Sequence, residues 1–226
     1  MATHLRENES IQDVADICDA VAGGLESDPM TSVHAPLWDA ITAKADALVA
    51  KRRGIVRTLG RARAKVVVVD AAWDPEIAAF GRDVVDQSAG KRDQAPYTRF
   101  FKQTSPSTAQ TFGIDREVQQ GKDWIAELNR EPNDALATKW SSRLSLVTNN
   151  LEAAANGRRD NLQALALQNT AEELFIADVN REIDILEGDL QKLFPGQPKR
   201  VAAFLDPTKP RTKRPRIPNA PESPET

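Results

Sequence analysis

Apolar residues recur every three or four positions along most of the chain. Ile11, Val14, Cys18, Val21 and Leu25 keep a 3-4-3-4 spacing, which sets them on one stripe of an α-helix. Ser10 is suited to cap that helix, and Ser27-Asp28-Pro29 to stop it. A second helix is expected from Pro36, since proline is tolerated in a first turn. Trp38, Ile41, Ala45 and Leu48 carry its stripe, and Val56, Leu59 and Val66 continue it. The four β-branched residues Val66–Val69 would suit a short buried strand, but the spacing enters from one side and resumes beyond them, which predicts helix. Asp74-Pro75-Glu76 reads as the start of a new helix with Ile77, Phe80 and Val84 inward, ending near Gly90. A short apolar segment around Tyr97, Phe100 and Phe101 precedes the breakers Thr104-Ser105-Pro106.

The pattern restarts at Ile114. Ile114, Val118, Ile125 and Leu128 predict a helix that ends at Glu131-Pro132. Another begins near Asp134 with Leu136, Trp140, Leu144, Val147 and Leu151 inward. Asn156-Gly157 could end it, with Asp160 capping a successor; one continuous helix fits the pattern as well. Ile176, Val179, Ile183, Leu186, Leu190 and Leu193 then form an a/d seam, closed by Phe194-Pro195-Gly196. The class predicted is all-α.

The two halves also match each other in order. Ile11 and Leu25-x-x-x-Pro29 correspond to Ile114 and Leu128-x-x-x-Pro132, Trp38 to Trp140, and Arg52-Arg53 to Arg158-Arg159. Glu76-Ile77 corresponds to Glu182-Ile183, and Phe100-Phe101-x-x-Thr104-x-Pro106 to Phe204-Leu205-x-x-Thr208-x-Pro210. The offsets stay between 102 and 106 residues. Two tandem three-helix units, 8–106 and 112–205, are therefore expected to pack as one pseudo-symmetric bundle. Residues 206–226 would follow as a disordered tail, with six prolines among 21 residues and a basic run at Lys209, Arg211, Lys213, Arg214 and Arg216. Such a composition buries too little apolar surface to offset ordering entropy.

Composition narrows the functions. With 226 residues, 40% hydrophobic and 28% charged, the chain suits amphipathic helices. A net charge of −3 gives no whole-protein field toward nucleic acid or anionic lipid. The single cysteine, Cys18, leaves no intramolecular disulfide and no four-thiolate zinc site. No signal-peptide core or membrane-length apolar run is evident, which makes the cytoplasm the expected location.

No catalytic or cofactor motif stands out. His4 and His34 lie outside the predicted helices, and no phosphate-binding glycine loop, His-Glu-x-x-His or Gly-x-Ser-x-Gly occurs. Asp13, Asp16 and Asp19 share one helical face and read as a solvated one. Trp38, Trp73, Trp124 and Trp140 lie on or beside apolar stripes and read as core anchors. Arg52 and Arg158 fall on the apolar phase. Each either reaches outward past a helix turn or is buried with an acid such as Asp70 or Glu172.

The most specific feature is a basic row. Arg53, Arg57, Arg61 and Lys65 lie four residues apart, and Lys51 to Lys65 contains seven basic residues and no acidic one. The second half carries Arg159, Gln163, Leu167 and Ala171 in those places, so the row is not a requirement of the scaffold. These features lead to the expectation of a non-enzymatic helical interaction or scaffold protein without cofactor or metal. Its partner would be another protein or a second copy docked on an uncovered apolar stripe. The alternative is a nucleic-acid-associated protein that contacts phosphates through Arg53, Arg57, Arg61 and Lys65 and through its tail.

Overall fold

A computed structural model describes residues 3–209, and among them no strand occurs: the chain is all-α. In chain order the helices are α1 (Ile11–Glu26), α2 (Ala35–Gln87), α3 (Tyr97–Phe101), α4 (Pro106–Ala109), α5 (Ile114–Leu128), α6 (Ala135–Leu193) and α7 (Pro198–Phe204). The two long helices α2 and α6 are each preceded and followed by short ones, with three short helices, α3 to α5, between them. The expected tail lies, from Pro210 onward, outside the described residues. Its first residues are corrected: Asp206–Thr208 form a 3-10 turn in which the buried Thr208 Oγ1 donates to the Leu205 carbonyl at 2.8 Å.

The break expected at Asp74-Pro75 is not found, and of the two readings left open at Asn156-Gly157 the continuous helix holds. α2 runs 53 residues with Pro75 inside it. Pro75 has no N–H to donate one turn back, to Ala71, but both residues are exposed, so water can satisfy the freed carbonyl. Trp73, Ile77, Phe80 and Val84 are all fully buried, and this core contact on both sides of Pro75 outweighs one lost hydrogen bond. α6 runs 59 residues through Gly157, whose carbonyl accepts from Asn161 Nδ2 at 2.7 Å. Val66–Val69 are helical.

The chain divides into two compact units. The first comprises the described parts of Met1–Lys51 and Gln168–Thr226. Its core joins Val14, Cys18, Val21 and Leu25 of α1, Trp38 and Ile41 of α2, the α6 seam from Ile176 to Leu190, and Val201 of α7. Leu5 is fastened by two bonds to one side chain: its N–H donates to Asn180 Oδ1 at 2.8 Å and its carbonyl accepts from Asn180 Nδ2 at 3.0 Å. Ser10 Oγ caps α1 by accepting from the Asp13 N–H.

The second unit is Arg52–Leu167. Its core is aromatic: Phe80 contacts Phe100, Phe101, Trp124 and Trp140 with ring centroids 5.3–5.9 Å apart. Trp124 Nε1 donates to the Phe100 carbonyl at 3.0 Å. Neither unit coincides with residues 8–106 or 112–205. Each combines the leading part of one long helix and the short helix before it with the trailing part of the other long helix and the short helices after it.

Candidate anionic-partner surface

The basic row lies on α2 in the second unit. Burial along α2 shows which way it faces. From 52 to 69 the sheltered positions are Arg52, Ile55, Leu59, Ala62, Val66 and Val69, all on one side of the helix, whereas Arg53, Arg57, Arg61, Arg63 and Lys65 are exposed. Among the described residues, none of these five forms an ion pair. Elsewhere in the unit four arginines do: Arg99 and Arg130 with Glu127, Arg143 with Glu76, and Arg159 with Asp115. The row holds three like-charge pairs at four-residue spacing, each costing the helix about 0.2–0.5 kcal/mol. Among the described residues no acid paired with the row offsets that cost.

Two glycines sit beside the row. Gly54 and Gly60 are exposed, and a Cβ added to either would meet no atom within 4 Å. Internal packing therefore does not explain them, although glycine inside a helix costs about 1 kcal/mol relative to alanine. Residues 51–69 contain no aromatic, Asn or Gln residue. The partner helix is also thinly covered here: among the described residues, none of 156–167 is buried. Arg143 Nη2–Glu76 Oε1 at 3.0 Å and Trp140 Nε1–Asp83 Oδ2 at 2.6 Å make α2 and α6 antiparallel in this unit. That register, continued along both helices, brings the exposed Arg158 about level with Arg61. The buried form of Arg158 weighed from the sequence is not found.

A second feature lies in the core, and the sequence pattern did not expose it. Glu117 of α5 is 3% exposed, beside the half-buried Asp70 and Asp74 of α2. Burial, then a hydrogen bond to Asp70 and the charges of Asp70 and Asp74, push its carboxyl up to about 8. At neutral pH Glu117 is thus mostly protonated and donates to Asp70. Burial, followed by the charge of Asp70, also raises Asp74. Trp73 Nε1 and Thr148 Oγ1 are buried with no hydrogen-bond partner among the described residues.

The α5 stripe expected at Ile114, Val118, Ile125 and Leu128 packs into this unit's core, and Glu117, Gly121 and Trp124 extend it. Its buried line is Glu117, Val118, Gly121, Trp124 and Leu128, with Ile114 and Ile125 half-buried. The half-to-half match held the missing signal, since an offset of 103 sets Glu117 on Val14 and Gly121 on Cys18. Gly121 is small for a packing reason: an added Cβ would lie 2.8 Å from Thr148 Cγ2.

All four tryptophans are buried, and Asp13, Asp16 and Asp19 lie on the exposed face of α1. Burial pushes the Cys18 thiol up to about 12, away from the reactive thiolate. A cleft of about 300 Å³ at the α6–α7 turn is lined by residues including Phe194, Val201 and Leu205. Among the described residues, no group of His, Cys, Asp and Glu side chains is arranged to hold a metal, and no helix is long and apolar enough to cross a membrane. What fold and surface define, among the described residues, is an all-α protein with an exposed cationic row. Comparison with known protein families, curated proteins and solved structures finds no match to this chain.

Proposed function

We propose that the chain is a non-enzymatic helical scaffold, built from two copies of a short–long–short helical element, that binds an anionic partner along Arg53, Arg57, Arg61 and Lys65. The observation that carries the binding role is the lack of any acid paired with these exposed cations among the described residues. A solvated structural face gains from alternating charge. This one accepts mutual repulsion over 15 residues, Lys51 to Lys65.

Repeated contacts support the duplication. In the first unit Leu5, ahead of α1, is held by Asn180 of α6. In the second, Gln110, ahead of α5, donates to the Asp74 carbonyl of α2 at 2.7 Å. Asp74 and Asn180 correspond at an offset of 106. Arg99 of α3 reaches Glu131 beyond α5 at 2.8 Å, as Arg200 of α7 reaches Asp28 beyond α1 at 2.5 Å. Asp28 and Glu131 correspond at 103. Against that shared frame the basic row belongs to one copy alone, as a feature acquired for binding would.

A self-associating protein has less support, because the exposed Leu174 and Ile185 of α6 are interrupted by the exposed Asp178 and Arg181. The test is retention of the full chain on immobilised heparin. The wild type is expected to elute at clearly higher salt than R57E/R61E, with circular dichroism showing equal helicity. Equal elution of the two would reject the row as a binding surface.

A further inference from the structure

Resting on that reading, we infer that the anionic partner is the phosphodiester backbone of a nucleic-acid duplex, contacted without regard to base sequence. An α-helix rises 1.5 Å per residue, so the four cations stand about 6 Å apart over about 18 Å. Each four-residue step also turns about 40° round the axis, so the row is regularly spaced and winds by about 120° from Arg53 to Lys65. Three of the four are arginines, whose planar forks engage phosphate oxygens bidentately. Arg63, also exposed, projects from another side of the helix.

What the surface lacks narrows the partner further. A single strand is gripped by stacking its bases on aromatic rings, and residues 51–69 contain none. Asn and Gln, which read adenine edges, are also missing there. A stable protein partner needs a buried aromatic or aliphatic anchor at the centre of its interface. Within residues 51–69 the exposed large apolar side chains are three short valines, Val56, Val67 and Val68, and none is aromatic. Gly54 and Gly60, with open space where a side chain would stand, instead leave shallow ground between the cations, where a sugar–phosphate backbone can approach the helix. With a net charge of −3, the attraction is local and strongest at low salt.

The experiment is fluorescence anisotropy of the full chain with a mixed-sequence DNA duplex, a scrambled duplex, a single strand of equal length, and labelled polyglutamate. Four phosphate contacts predict a slope of about −4 for log K against log salt, and affinity roughly 100-fold weaker at about 200 mM than at about 50 mM. Both duplexes should bind alike and more tightly than the single strand or polyglutamate. R57E/R61E should lower affinity by at least about tenfold and bring the slope toward −2. Gly60→Leu should weaken duplex binding with helicity retained, a result that loss of folding would not produce. Polyglutamate or the single strand binding as tightly as the duplex overturns the assignment while leaving an anionic surface standing. No binding of any probe at about 50 mM salt overturns both. Duplex binding unaffected by R57E/R61E removes this row as its site.

Discussion

Glu117 should make the second unit less stable as pH rises from acid to mildly alkaline. An unfolded glutamate titrates near 4.5, whereas the folded carboxyl is held up to about 8, chiefly by burial and then by Asp70. Between those values the folded chain binds a proton that the unfolded chain has released, so stability falls with pH across that window. The contribution is complete below 4.5 and lost by the time pH passes through about 8. At about 1.36 kcal/mol per pH unit the loss has an upper limit of about 5 kcal/mol. Asp70 and Asp74 are half-buried, so solvent reaches the cluster and the expected loss is roughly 2–3 kcal/mol. Glu117→Gln keeps the shape and an N–H donor toward Asp70 but cannot ionise. Urea titrations at pH 5, 7 and 9 would follow intrinsic fluorescence, to which Trp73, Trp124 and Trp140 contribute from this unit. The wild type should weaken across the series. The variant should be nearly level and more stable than wild type at pH 9. Equal pH slopes in the two proteins would refute the buried, shared-proton arrangement.

Three further outcomes follow from packing and backbone geometry. Gly121→Ala should cost about 1–3 kcal/mol in urea unfolding despite its better helix propensity, because the new methyl meets Thr148; adding Thr148→Ala should restore most of the loss. Arg99→Ala should lower stability by about 2 kcal/mol in the same assay, since it removes the bonds to Glu127 and Glu131 at 2.8 Å and one to the Glu127 carbonyl. Ala89 closes α2 at φ 50, with the Gly90 N–H donating to the Val85 carbonyl at 2.9 Å. Because only glycine takes that left-handed conformation freely, Ala89→Gly should raise the thermal midpoint, with a gain of up to about 1 kcal/mol.

The fold class, α1, the α6 seam and the basic row were all legible from residue order. Each rests on a local rule: a helix repeats every 3.6 residues, so spacing alone assigns a face. Where the helices end was not local. Pro75 and Gly157 carry ordinary stop signals, yet Trp73, Ile77 and Phe80 hold one rod through its proline, and the second runs on through its glycine. Proline inside a helix costs about 3 kcal/mol, less than the burial secured on both sides of Pro75. Glycine costs only about 1 kcal/mol, too little to end a helix by itself. Only the tertiary structure could show that the row at Arg53, Arg57, Arg61 and Lys65 faces outward without acidic partners, or that Glu117 is enclosed with Asp70. A charge is neutralised, or a carboxyl protonated, by whatever stands within a few ångströms, and those neighbours come from segments about 45 residues or more away.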